Sequence, residues 1–358
     1  MLHPVIMAGG SGTRFWPRSR RKSPKQLIRV VGQDTMIRQT VSRLCRRIPA
    51  ESLLIVTRAD QAEAMREQLP ELNSDQIVAE PMGRDTAPAI GLAAKLIEKR
   101  DPDGTMLVVS ADHIIKPDDA FHDCVEAAAR VAAEHNALVT FGISPTEPST
   151  LYGYLHRGEL IHENGVRAFK LAEFKEKPDE ATAAQFRSSG DYYWNSGNFV
   201  WRVRDILAAI EQFMPELHAG LEKIAPDLGT PGQAETMKRE YPSLPKQSID
   251  YGVMEKVPNA VVVEATFEWD DVGSWNATSR HHPDDADGNT VLAEKYTGLD
   301  TKSCVIVSEP EHLVATIGIE NLIIVHTPDA TLVCDRNRDA DVKKLVEILT
   351  ESGLEDYL

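Results

Sequence analysis

The sequence contains no run of about 20 apolar residues of the kind that crosses a membrane. Its opening, M-L-H-P-V-I-M-A-G-G, has neither a basic leader nor an apolar core long enough for a signal peptide, so the expected location is cytoplasmic, away from membranes. Cysteine is scarce. Cys45, Cys124, Cys304 and Cys334 lie far apart with no C-x-x-C spacing, which argues against a zinc site and fits reduced thiols used for packing. There is no internal repeat, and prolines and glycines are spread along the chain, so no compositional linker stands out. Basic charge is short overall. A net charge of −16 argues against nucleic acid as the main partner, because polyanion binders present a basic face.

The basic residues that exist are concentrated. Between Ser11 and Arg47 there are eleven Lys or Arg residues and one acid, Asp34, so this stretch carries about +10 and the remainder about −26. A cationic stretch on an acidic protein points to a small anionic ligand or, more plainly, to a solvated basic helix face.

The length and apolar content suffice for one large core and a smaller domain. The first half alternates short β-branched runs with segments of helical period, the pattern of a parallel sheet covered by helices. Strands are expected at 4–8, 53–57, 76–79, 105–110 and 137–143. Between them Ile37, Val41 and Leu44, then Ala62, Met65 and Leu69, then Ile90, Ala93, Ala94 and Ile97 recur at helical spacing. Later strands at 152–156, 167–174 and 198–203 extend the sheet with mixed direction. Beyond Gly288, short β runs at 303–307, 312–317, 322–326 and 331–334 precede a helix over 340–351. The expected organisation is an α/β catalytic domain over 1–285 and a small C-terminal β domain over 286–358.

Directly after the first strand the chain reads G-G-S-G-T-R-F-W-P over Gly9 to Pro17, with Pro24, Lys25 and Gln26 soon after. Glycines let backbone N–H groups approach phosphates, and Arg14 and Lys25 can neutralise a triphosphate. The loop lacks the third glycine of a dinucleotide fingerprint and the G-K-[ST] ending of a P-loop. Elsewhere Asp112 stands two residues past the strand 105–110, at the carboxyl edge where open α/β sheets bind ligands, although a lone Asp there is by default a turn or cap residue.

These residues resemble the signature of the mannose-1-phosphate guanylyltransferases, G-G-S-G-T-R-x-W-P-x-S-R followed by P-K-Q. The resemblance continues through E-P-M-G-R-D-T-A-P-A from Glu80, A-D-H-I from Ala111, Y-G-Y from Tyr152, F-K-E-K-P from Phe174, W-N-S-G from Trp194, S-I-D-Y from Ser248 and W-D-D-V-G-S-W from Trp269, covering nearly the whole chain. It implies a Rossmann-like nucleotide-diphospho-sugar transferase fold with a mixed central sheet, a β-helix-like C-terminal domain, a divalent metal such as Mg2+, and release of pyrophosphate. By the same resemblance Gly9, Gly10, Ser11, Gly12 and Thr13 hold the nucleotide, Glu80, Pro81, Gly83 and Asp85 belong to the guanine loop, and Asp112 and Asp271 hold the metal. Gly153 leaves room for the sugar ring, Glu176 and Asn195 bind its hydroxyls, and Lys177 binds the sugar phosphate. Glu176 and Lys177 would point to opposite faces if the strand period persisted through them. Asp85 departs from the family, which usually has Asn there; as a cap for the following helix it would serve a second purpose. His113, Trp194, Trp269 and Trp275 are read as packing residues.

The implied reaction joins GTP to mannose 1-phosphate by in-line attack on the α-phosphorus, and the resemblance admits a homodimer. Two rivals stay open: a thymidylyl- or uridylyltransferase of the same fold acting on glucose 1-phosphate, and a catalytically silent sugar-nucleotide sensor. The sensor would be expected to lose phosphate or metal ligands, yet Arg14, Lys25, Asp112, Lys177 and Asp271 are all there. Some family members carry a further C-terminal cupin domain; ending at Leu358, this sequence predicts a single activity.

Overall fold

A computed structural model of the chain describes residues 1–10 and 12–358. Ser11, one of the expected loop residues, lies outside the described residues. Chain contacts define two compact units: Met1–Gly9, Ser42–Ala62 and Pro70–Asp270 form the first, and Gly10–Val41, Glu63–Leu69 and Asp271–Leu358 the second.

The first half alternates as expected: β1 (Leu2–Met7), α1 (Met36–Cys45), β2 (Leu54–Arg58), α2 (Ala62–Gln68), β3 (Ile77–Glu80), α3 (Thr86–Arg100), β4 (Thr105–Ser110), β5 (Ile114–Lys116), α4 (Asp118–His135) and β6 (Leu138–Ile143). There follow β7 (Tyr154–Asn164), β8 (Val166–Lys175), α5 (Glu180–Ser189), β9 (Tyr192–Arg202), α6 (Val203–Phe213), α7 (Pro215–Ile224), α8 (Gln233–Glu240), β10 (Ala260–Glu264) and β11 (Glu268–Asp270). Nine of these strands make the sheet of the first unit, in the order β3-β2-β1-β4-β9-β6-β10-β8-β7. β3, β2, β1 and β4 run parallel, while β9 is antiparallel to both β4 and β6, so the sheet is mixed.

Burial explains the parallel half. The interior residues of β1 and β4 are buried on both faces, which suits β-branched runs rather than alternation. Against them α3 buries Ile90, Ala93, Ala94 and Ile97, the expected stripe. Its start is fixed by Asp85, whose side chain accepts from the Thr86 N–H at 2.8 Å. The segment expected at 198–203 proves to be the end of a longer strand, β9, and the A-V-V-V-E run of β10, not anticipated, fills the place between β6 and β8.

In the second unit, β12 (Thr290–Leu292), β14 (Val305–Val307) and β16 (Leu322–His326) pair in parallel, and β17 (Thr331–Asp335) closes this sheet antiparallel to β16. Val291, Ile306 and Ile324 stand in register on successive rungs, the stacking of a β-helix-like coil. β13 (Tyr296–Leu299) and β15 (Val314–Ile317) form a second parallel pair. A short helix, α9 (Trp275–Thr278), precedes the strands and α10 (Val342–Glu351) follows them. All four cysteines are free; Cys124 and Cys304 are buried as packing residues, whereas Cys45 is exposed because it ends α1 on the side away from its apolar stripe.

Candidate active site

The glycine loop belongs to the second unit from Gly10 onward. Gly12 adopts a left-handed conformation (φ 58°), and a Cβ there would overlap the Lys25 Cβ. Glycine is therefore required twice, for its dihedral and for the close approach of Lys25. Lys25 is 5% exposed, and its Nζ donates to the Asp271 carbonyl at 2.6 Å. Gln26 donates to the Gly10 carbonyl at 3.2 Å and Ser19 to the Gly12 carbonyl at 2.7 Å, so the P-K-Q turn folds directly under the glycines. Thr13 and Arg14 lie in a single 3-10 turn, Thr13–Phe15. The Arg14 guanidinium and the Asp271 carboxylate both crowd Gly273, where a Cβ would meet them at 3.3 and 3.1 Å. Between Asp271 and Gly273, buried Val272 has φ 42°, a strained value for a β-branched residue.

In the first unit, Gly9 ends the run that follows β1, and a Cβ on it would lie 3.3 Å from Glu80 Oε2. Glu80 closes β3, is 4% exposed, and accepts a hydrogen bond on Oε1 from the fully buried Tyr241 hydroxyl. Burial raises the Glu80 carboxyl to about 7, and the Tyr241 bond only partly offsets this. Pro81, Gly83 and Asp85 are exposed on the loop that follows. Asp85 itself is an N-cap with φ 69°. Since Asn and Asp cap helices about equally well, the departure from the family residue keeps the backbone role intact.

The sugar-side residues come together. A Cβ on Gly153 would overlap Glu176 Oε2 and lie 3.5 Å from the Asn195 Cβ, and the Asn195 N–H donates to the Gly153 carbonyl at 2.8 Å. Asn195 sits where the β6–β9 register shifts, and this irregularity turns its side chain onto Thr140 and Asp250. Lys177 corrects the expectation of opposite faces. β8 ends at Lys175, Lys177 has φ 45°, and its Nζ reaches Glu176 Oε1 at 2.7 Å, so the two side chains meet.

Asp250 belongs with this group although its S-I-D-Y block suggested no role for it. It begins a π-helical turn, Asp250–Met254, and its Oδ1 accepts from Asn195 Nδ2 at 2.9 Å. Burial, then the neighbouring charge of Glu176, raise its carboxyl to about 6. The available signal was an acid within the apolar run Ile249 to Met254.

Asp112 is oriented by Ser110, whose hydroxyl donates to Oδ1 at 2.6 Å. Among the described residues no three His, Cys, Asp or Glu side chains gather as a closed metal cage. Asp112 belongs to the first unit and Asp271 to the second, and each is a hard carboxylate donor of the kind magnesium prefers. The residues read as packing behave so: Trp269 donates to His113 Nδ1 at 3.1 Å and stacks edge-on with it, and Trp275 is buried against Phe15.

The basic stretch divides. Arg43, Arg46 and Arg47 pair with Asp118, Asp119, Asp123 and Glu126 of α4, so this part balances charge within the first unit.

Comparison with known proteins identifies relatives of this chain. The nucleotidyl transferase family matches residues 3–288, and the MannoseP isomerase/GMP-like beta-helix domain matches 294–349. Proteins named mannose-1-phosphate guanylyltransferase from Escherichia coli and Klebsiella pneumoniae are each 40% identical over all of this chain and 76% of their own length. A crystal structure from Thermus thermophilus, described as a mannose-1-phosphate geranyltransferase, superposes with a TM-score of 0.86 at 33% identity, covering 98% of this chain and 99% of that one.

Proposed function

This chain belongs to the mannose-1-phosphate guanylyltransferase family, and from that membership we propose how it turns GTP and mannose 1-phosphate into GDP-mannose and pyrophosphate. The observation that supports the reading most is the convergence of Gly153, Glu176, Lys177, Asn195 and Asp250: a recess kept open by a missing Cβ, lined by hydroxyl acceptors and one cation.

In this reading an ionised oxygen of mannose 1-phosphate forms a bond to the α-phosphorus of GTP, and the bond from that phosphorus to its β-bridging oxygen breaks. Pyrophosphate departs with the electron pair. The nucleophile is ionised already, so the chain needs no general base, and the rate comes from alignment and charge neutralisation. Gly9, Gly10, Ser11, Gly12 and Thr13 would present the loop backbone to the phosphates, with Arg14 and Lys25 as their counter-charges. Glu80, with Pro81, Gly83 and Asp85 shaping its loop, would accept the paired N–H donors of guanine, for which its ionised form is needed. Glu176, Asn195 and Asp250 would accept or bridge sugar hydroxyls, and Lys177 would hold the sugar phosphate. A divalent cation such as Mg2+, with Asp112 and Asp271 as its carboxylate ligands, would supply further charge neutralisation at phosphate oxygens.

We assign catalysis to residues 1–285 and treat 286–358 as a separate small β domain. No described helix is long and apolar enough to cross a membrane, and we propose a cytoplasmic enzyme, as a homodimer, with no nucleic-acid partner. The test is pyrophosphate release from each of four nucleoside triphosphates against mannose 1-phosphate and glucose 1-phosphate. The GTP and mannose 1-phosphate pair should dominate. A preference for dTTP or UTP with glucose 1-phosphate would sink the base and sugar assignment, and no release from any pair would favour a silent sensor.

A further inference from the structure

A third group of the basic stretch is absorbed neither by the glycine loop nor by α4. Arg18, Arg20 and Arg29 line one cavity of about 650 Å³ that lies wholly within the second unit, a volume suited to a small metabolite. The facing wall, from two turns of the β segment, brings Glu309 and Asp329.

The three guanidinium groups are held unequally. Arg20 is pinned: Nε donates to the Pro17 carbonyl at 2.6 Å, Nη2 to Asp329 Oδ1 at 2.8 Å, and Nη1 to the Tyr357 carbonyl. Arg18 reaches a single carboxylate oxygen, Glu309 Oε1, with both Nε and Nη2 at 3.3 Å, a long contact in place of a two-oxygen fork. Arg29 is exposed and has no ion pair with any described residue. Three cations thus face two carboxylates that remain partly in water, 39% and 51% exposed. The rest of the wall is mostly apolar, with Pro17, Pro310 and Pro328 its stiff part and Thr35 and Thr327 its two hydroxyls.

We propose that this cavity is a second anion site, separate from the glycine loop, that takes a phosphate monoester carried on a sugar or nucleoside. The dianionic phosphate replaces the single Glu309 oxygen on Arg18 with a two-oxygen fork and draws Arg29 inward, while Arg20 keeps its backbone anchors. The organic body packs on the proline rings, which offer it an apolar surface. Monovalent carboxylates are weaker competitors, since Glu309 already offers one and makes only a long contact.

The proposal is independent of the active-site assignment, and calorimetry on the full chain separates the two. The probes are mannose 6-phosphate, uridine 5′-monophosphate and inorganic phosphate, the first two distinguishing a sugar from a nucleoside source. At least one monoester should bind with Kd below about 1 mM. Arg29→Glu and Arg18→Gln should each weaken it about tenfold or more, and Lys177→Ala should leave it unchanged. Arg29 is exposed, so its variant should melt as the wild type does; Arg18→Gln gives a second reading without charge reversal. Inorganic phosphate should bind more weakly for want of a body. The site is overturned if neither monoester binds up to about 10 mM, or if binding survives Arg29→Glu and disappears in Lys177→Ala, which would place the ligand on the sugar-phosphate residues. Equal binding of inorganic phosphate would overturn the role of the proline wall.

Discussion

The residues around Gly153 and those around Gly12 are built in opposite ways. Near Gly153 the polar groups are two carboxylates and an amide, Asp250 bonded to Asn195 and Glu176 to Lys177, with Asp250 held protonated up to about pH 6 by burial. Near Gly12 they are cations laid against glycine backbone, with Lys25 buried under the loop. Acceptors fixed by hydrogen bonds discriminate, because a hydroxyl must arrive along a set direction. Cations on a flexible stem neutralise charge from many directions. The contrast teaches that the group around Gly153 is built mainly of fixed acceptors and the group around Gly12 of cations, with Lys177 as the exception that puts a cation among the acceptors.

The largest expected effect tests the two proposed metal ligands. Asp112→Asn and Asp271→Asn should each lower kcat by at least ~100-fold with little change in melting temperature, if each removes a hard donor proposed for the metal. If either keeps near wild-type turnover at limiting magnesium, that residue is not a metal ligand.

Next, the lysines separate the units by substrate. Lys25→Ala should mainly impair use of GTP, and Lys177→Ala use of mannose 1-phosphate, each by on the order of 1.5 to 4 kcal/mol in kcat/KM. Equal effects on both substrates, seen when each is titrated separately, would erase the distinction.

Glu80 gives a smaller and more selective effect. Glu80→Gln should cost GTP roughly 1 to 3 kcal/mol and ITP less, since inosine lacks the amino group. The sign of its pH dependence follows from a carboxyl raised to about 7: it is ionised and able to accept above that pH and protonated below it. Wild-type kcat/KM for GTP should therefore fall as pH drops through about 7, and the fall should be absent in Glu80→Gln. For stability the same shift runs the other way. A carboxyl whose folded value exceeds its unfolded one contributes stability that is full in acid and is lost as pH rises through about 7. Uniform loss across GTP, ITP and dTTP would mean that Glu80, through Tyr241, only supports the loop.

The smallest effect should be that of Asp250→Asn, about 1 kcal/mol, confined to mannose 1-phosphate. Wild-type use of that substrate should weaken as pH falls below about 6, when the Asp250 carboxyl takes up a proton, and the variant should not follow it. A change in KM for GTP of equal size would place Asp250 outside the sugar side.

Much of this is legible in the sequence. Gly12 and Lys25 share one motif thirteen positions apart, and the left-handed Gly12 lets the chain between them close. The strand period places Glu176 and Lys177 on opposite faces only if it persists, but β8 ends at Lys175 and the positive φ of Lys177 brings the two side chains together. Nothing local distinguished Arg43, Arg46 and Arg47 from phosphate-binding arginines, since their partners begin about seventy residues away on α4.

What the sequence determined by itself was whatever near neighbours encode: the alternation of strand and helix, the Asp85 cap, the glycine turn, and the family motifs with their chemistry. Only the tertiary structure decided which motif residues meet. It brought Asp250 to Asn195 through a π turn and a register shift, buried Glu80 against Tyr241, and set Arg18, Arg20 and Arg29 around one cavity. The physical reason is that periodicity and capping act over a few residues, whereas desolvation and ion pairing depend on groups far apart in the chain, and those groups set a carboxyl's proton affinity or leave an arginine open to an anion.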